Sequence, residues 1–209
     1  MEVKVCSEIL HNKKVAVLLE TEYISSEINY YINFFSKFGA EVHLLTYLWG
    51  AKSRVLVSDV TEPNIMPSTI TVTKDISDYN PEDYAIVLIA ANYVACRLRE
   101  IMPMGSLGSI EELSTPPAVG FIKRAMENKK IIKGALCHGL WLLTPIPQCL
   151  SGRKVICHTV VLADIHNAGA IYVPEESHVV VDDDLITARS AADIEKYCQT
   201  IIAQYEKQL

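Results

Sequence analysis

No apolar run in this 209-residue chain approaches the roughly 20 residues that a membrane-spanning helix needs, so a membrane is not an expected partner. Clustered Lys and Arg are missing too. With 19 basic against 25 acidic residues and a net charge of −6, the chain has no basic stripe for a phosphate backbone, and nucleic acid is not expected either. No Cys-x-x-Cys pair occurs among Cys6, Cys96, Cys137, Cys149, Cys157 and Cys198. That speaks against a zinc ribbon or a disulfide framework and for reduced thiols in a cytoplasmic setting, with no metal and no cofactor called for. The opening "MEVKVCSEILHNKKVAVLLE" carries too much charge for a secretory signal, and internal repeats are lacking.

What is present is a globular composition, 50% hydrophobic and 21% charged, enough for one α/β domain over 1–209. Short apolar runs at 15–19, 41–45, 84–91 and 131–136 read as buried strands. Between the first two, Ile28, Tyr31, Ile32, Phe35 and Phe38 recur at helical spacing, with Ser25 or Ser26 to cap and Gly39 to stop. Strand, helix, strand in this order predicts a βαβ unit in a parallel sheet with helices on both faces. Further on, 154–158, 170–173 and 178–190 read as strands, the last folded back at Asp182–Asp184. A helix is predicted near 118–129, and a final amphipathic helix from Ala191. The stretches 49–68 and 102–117 read as loops.

One short segment concentrates the chemistry. In "KGALCHGLW", residues 133–141, a strand runs into Cys137-His138-Gly139 and then a helix. A sharp strand-to-helix turn forces its central residue into a strained backbone, expected at φ > 0 for Cys137, and pushes the side chain over the carboxyl edge of the sheet. Gly139 leaves room for close approach. A helix starting there directs free N–H groups at the sulfur, which favours thiolate and can hold an oxyanion. Two readings of Cys137 stand open: a presented nucleophile, or a small buried hydrophobe, as free cysteine often is.

The residues resemble the DJ-1/PfpI superfamily over nearly the full length. "GALCHG" is similar to the family's cysteine elbow; "LSGRKVICH" (150–158), "HNAGAIYV" (166–173) and "VVVDDDLITARSAADIEKY" resemble its later conserved segments. The resemblance implies a flavodoxin-like, doubly wound, mostly parallel sheet, and a homo-oligomer, usually a dimer. It also implies a glutamate from the first helix beside the elbow, which counting back from Gly39 places at Glu27, with Glu20 and Glu22 as competitors. His158 stands where one branch keeps a histidine near the pocket.

Two departures bear on mechanism. Where relatives carry Pro-Gly-Gly after the third strand, this chain reads Ala90-Ala91-Asn92, so the N–H groups at Ala91 and Asn92 must do that segment's work. Where the PfpI-like peptidases carry a glutamate for the elbow histidine, this chain has Cys96, although Arg97 and Arg99 match. Class I glutamine amidotransferases share the elbow, but their later His-x-Glu is absent. The expectation is a cysteine-dependent enzyme acting on a small carbonyl or amide-type molecule: Cys137 attacks, Glu27 or His138 moves protons, and Ala91, Asn92, Gly139 and His158 line the oxyanion and substrate site. A redox-responsive or ligand-binding protein without turnover is the alternative, and a PfpI-like peptidase a more distant one.

Overall fold

A computed structural model describes residues 8–60, 66–101 and 108–209 of the chain. Cys6, the middle of the first expected loop (61–65) and the start of the second (102–107) lie outside the described residues.

The apolar runs become strands because they can be buried on both faces. β1 (Lys14–Leu18), β2 (Glu41–Leu45), β5 (Ile86–Ile89), β6 (Ile132–Leu136), β9 (Val179–Asp182) and β10 (Leu185–Ala188) form a six-stranded sheet in the order β2-β1-β5-β6-β10-β9. All neighbours are parallel except β9, which returns antiparallel on β10. The turn between them, with Asp183 at φ 55°, lies where the acidic run predicts it.

The order of strands dictates where the helices go. The chain steps outward from β1 to β2 through α1 (Ser25–Lys37), and in the opposite direction from β5 to β6 through α3 (Pro117–Glu127). Right-handed crossovers in opposite directions put α1 and α3 on opposite faces. Two short helices, α2 (Val94–Leu98) and α4 (Leu162–Asn167), come after β5 and ahead of the last strands, and the last helix, α5 (Ile194–Glu206), packs beside α1. This is the flavodoxin-like α/β architecture, and the direction of winding reverses between β1 and β5. Ligands bind such sheets at the carboxyl ends of the strands beside that reversal.

Three expectations need correction. Ser25 and Ser26 do not cap α1: Ile24 is the N-cap and no side-chain bond closes that end. Within 49–68 the chain forms β3 (Arg54–Val57), paired antiparallel with β4 (Thr69–Val72) as a separate ribbon. The ribbon is fastened by Arg54, which grips buried Glu20 through both carboxylate oxygens at 2.5 and 2.9 Å. The strands expected at 154–158 and 170–173 contract to β7 (Lys154–Val155) and β8 (Ile171–Tyr172), which pair with each other outside the main sheet.

One buried charge cluster crosses the sheet. Lys133 on β6 is almost fully buried, and its ammonium meets the equally buried Asp184 carboxylate and the Asn128 carbonyl, the latter at 3.0 Å. Arg153 closes the cluster from outside, donating to Asp184 at 2.7 Å and to Asp182. Burial first, and the Arg153 charge with it, push the Lys133 pKa down, and the Asp184 hydrogen bond and charge oppose that shift. Among the described residues no helix is long and apolar enough to cross a membrane.

Candidate active site

Three strand ends converge. Past β6, Cys137 stands at φ 59°, the left-handed region that non-glycine residues seldom enter. The conformation is held from both sides: the Cys137 N–H donates to the Ala188 carbonyl at 2.9 Å, and its own carbonyl accepts from the His158 N–H at 3.2 Å. Gly139 is needed for contact, since a Cβ there would sit 3.2 Å from the Ile89 carbonyl oxygen and 3.3 Å from the Ala135 Cβ. The backbone expectation for the elbow is met. The expected helix is not, because Gly139–Leu143 is a short 3-10 turn, too short to gather a macrodipole.

Past β5, Asn92 also lies in the left-handed region, at φ 63°. Asn is the side chain that tolerates this best after Gly, so Ala91-Asn92 makes this left-handed turn without a glycine. Its amide nitrogen ties the segment down, donating to the Glu22 carbonyl at 2.9 Å and to Asp59 at 2.8 Å. The backbone N–H groups of Asn92 and His138 both act on the Cys137 sulfur in the sense that favours thiolate.

Past β1, α1 turns Glu27 inward on the same face as Ile28 and Tyr31. Its two carboxyl oxygens accept from the Ala91 N–H, at 2.9 and 3.1 Å. The carboxyl therefore occupies the Ala91 donor, and no hydrogen bond joins it to the Cys137 sulfur. Glu20 is held by Arg54, and Glu22 pairs with Arg97 at 2.9 Å on the surface, so Glu27 is the carboxyl at the elbow.

Burial dominates the electrostatics. Loss of solvent raises the Glu27 pKa from 4.5 to about 7, against the lowering effects of the Ala91 N–H and Tyr31. Burial first, then the Glu27 charge, pushes the Cys137 thiol up to about 11, outweighing the two N–H groups. The expectation of a thiol acidified by a helix terminus is overturned: the helix is missing and desolvation is the larger effect.

His138 is nine-tenths buried, and both of its ring nitrogens lack a partner among the described residues. Burial first, then neighbouring His158, push its pKa down, against a raising effect of the Asn92 backbone. Its ring stands 4.8 Å from that of Trp141, 5.0 Å from that of His158 and 5.6 Å from that of Tyr93, centroid to centroid. Cys96 does not supply an orienting group; its sulfur approaches Arg99 at 4.0 Å, and it lines a surface cleft with Tyr93, Arg97, Glu22 and Glu100. Trp141 and Tyr93 were not singled out from the sequence. The three-residue step from His138 to Trp141 was the available signal.

Glu27 has a consequence for stability. The native state keeps its proton up to about pH 7, whereas the unfolded chain releases it near the ordinary value of 4.5. Stability contributed by this group is present below the lower value and lost as pH rises to the upper one, on the order of 3 kcal/mol in all. Glu27→Gln is therefore expected to raise the melting temperature at about pH 8 and to change it little at about pH 4.5. Equal melting at both pH values would show that this carboxyl titrates normally.

The fold and the turn define the class: an α/β protein with a strained cysteine at the carboxyl edge of its parallel strands. The chain belongs to the DJ-1/PfpI family, whose model matches residues 101–204. It is 30% identical over 195 residues to general stress protein 18 of Bacillus subtilis, covering 93% of this chain and 99% of that relative. Two solved structures are similar in fold. One is a two-domain protein from Anabaena variabilis with DJ-1/ThiJ/PfpI-like and ferritin-like domains, at TM-score 0.73 and 23% identity. The match covers 93% of this chain but only 48% of that protein. The other is DJ-1 of Schizosaccharomyces pombe, at TM-score 0.68 and 14% identity, covering 93% of this chain and 96% of that one.

Proposed function

We propose that this chain is a cysteine-dependent enzyme acting on small reactive carbonyl compounds, with Cys137 as nucleophile and Glu27 as proton acceptor and donor. The observation that carries the reading is the buried Glu27 carboxyl, with a pKa raised to about 7, acting on a thiol with a pKa of about 11. A thiol this weakly acidic holds little standing thiolate at neutral pH. It adds to a carbonyl if its proton leaves as the bond forms, and a carboxyl near pH 7 is matched to that task. In that step the sulfur bonds to the carbonyl carbon, the thiol proton passes to Glu27, and the π electrons move onto oxygen. The Asn92 and His138 N–H groups then face the oxyanion. His138, whose ring nitrogens have no hydrogen-bond partner among the described residues, is available to move a proton on or off the resulting hemithioacetal.

A redox sensor depends on standing thiolate, which burial disfavours here, and among the described residues no carboxylate partners His138 for a peptidase triad. A small-molecule substrate, self-association as a dimer and a cytoplasmic setting belong to the same proposal. Consumption of 2-oxoaldehydes, isonitriles and peptides by the wild type, Cys137→Ser and Glu27→Gln tests it. The 2-oxoaldehydes are expected to be consumed, Cys137→Ser to fall to background, and Glu27→Gln to lose roughly a hundredfold or more. Wild-type protein inert to every small carbonyl, or a fully active Cys137→Ser, would sink it.

A further inference from the structure

The short 3-10 turn that stands in for the expected helix has a use. About three residues complete a turn of a 3-10 helix, so side chains three apart lie directly above one another. An α-helix would carry the second one about 60° round the axis. His138 caps this turn, and Trp141 follows three residues on, its N–H donating to the His138 carbonyl at 3.0 Å. Their rings are 4.8 Å apart, closer than those of His158 or Tyr93 come to His138.

Trp141 is itself tied down at both ends. Its Nε1–H donates to the Asp164 carboxylate of α4 at 2.7 Å, a bond strengthened by the charge of the acceptor. On the backbone side, Arg99 donates to the Trp141 carbonyl at 3.2 Å and to the Thr144 hydroxyl at 2.6 Å. That hydroxyl donates to the same carbonyl at 2.8 Å. Tyr93 backs the indole, tilted by only 29° at 6.1 Å between centroids. His138 is the opposite case: among the described residues neither ring nitrogen has a hydrogen bond. An imidazole turns about its outer side-chain bond in a broad well, so packing against its neighbours has to hold it.

We propose that Trp141 is a positioning residue for His138, with Asp164 holding the indole, so that the imidazole is fixed by ring packing and both of its nitrogens stay open to the substrate. A carboxylate orienter would occupy one nitrogen and select one tautomer. Fixed by packing, the ring can take a proton on either nitrogen and release it from either. The proposal rests on the proton-moving role given above to His138, but the first arm of its test needs no turnover.

That arm reads the His138 ring protons by NMR, assigned with His138→Gln. The ring current of a nearby indole displaces these signals, so they report where Trp141 stands. Asp164 is exposed on α4, and its replacement should leave the fold intact. Asp164→Asn keeps an acceptor for the indole N–H and should leave the signals in place, whereas Asp164→Ala should move them. The second arm uses a 2-oxoaldehyde. Trp141→Leu is expected to lower kcat about tenfold with little change in KM, and Trp141→Phe, which keeps an aromatic ring, by less. Thermal melting identifies any variant that has simply lost its fold. An unchanged kcat in folded Trp141→Leu overturns the proposal, and so do wild-type His138 signals in Asp164→Ala. Moved signals in a protein that turns over no carbonyl would leave the positioning standing and refute the enzyme.

Discussion

Asp184→Ala is expected to lower the free energy of unfolding by about 3–5 kcal/mol. The reason is what stays behind. Lys133 is 1% exposed in the middle of the sheet, and without Asp184 its ammonium keeps only the Asn128 carbonyl. Arg153 is half-buried and can turn its charge to water, whereas Lys133 on β6, between β5 and β10, has no such exit. The pair is not thereby a large net source of stability, since two ions were desolvated to make it. Replacing both, as Lys133→Met with Asp184→Leu, should recover most of the loss. Urea unfolding of the single and double variants measures both. A single variant within about 1 kcal/mol of wild type would show that Lys133 finds another partner or sheds its proton freely.

Gly134→Ala is expected to cost about 3 kcal/mol, the upper end for one added methyl group in a packed core. The new Cβ would meet the Tyr197 Oη at 2.1 Å and the Leu88 Cδ2 at 2.8 Å. Tyr197 has no open side to swing into, because its ring is fully buried between α5, α1 and the sheet. The strain must therefore be relieved by shifting α5. Tyr197→Phe in the same chain removes the nearest atom and should restore part of the stability, although the Cζ, 2.9 Å away, still crowds the methyl. Calorimetric melting of the two variants reads the effect, and a Gly134→Ala protein that melts with wild type would mean that α5 yields without cost.

Where a residue's neighbours lie close in sequence, its structure was legible from sequence. β1 differs from expectation by one residue, because a continuous apolar run buried on both faces fits a central strand, and β2, at the sheet edge, has the expected bounds, 41–45. The elbow was legible for a similar reason: Ala135, Cys137 and Gly139 state a small-residue turn locally. The β3–β4 ribbon was not. Its strands have four residues each, Val55 is exposed, and its anchor is the distant pairing of Arg54 with Glu20. The thiol's acidity was misread because burial is a sum over the whole fold. A helix terminus can be inferred from nine residues, but desolvation by α1, β5 and β10 cannot. Tyr31 illustrates the limit. It was correctly placed on the apolar face of α1, but its neighbour Tyr197, ring to ring at 6.4 Å, comes from α5.

The order in which the sheet closes sets the moment at which the elbow exists. Leu136 pairs with Ala188, and the Cys137 N–H is held by the Ala188 carbonyl, some fifty residues further along the chain. On the ribosome, β1, β2, β5 and β6 emerge before their last partner, so the turn lacks one of its two clamps until β10 has cleared the exit tunnel. A left-handed cysteine without that clamp relaxes to ordinary backbone at a gain of about 1–3 kcal/mol. The clamped, left-handed Cys137 is therefore complete only once β10 has paired with β6.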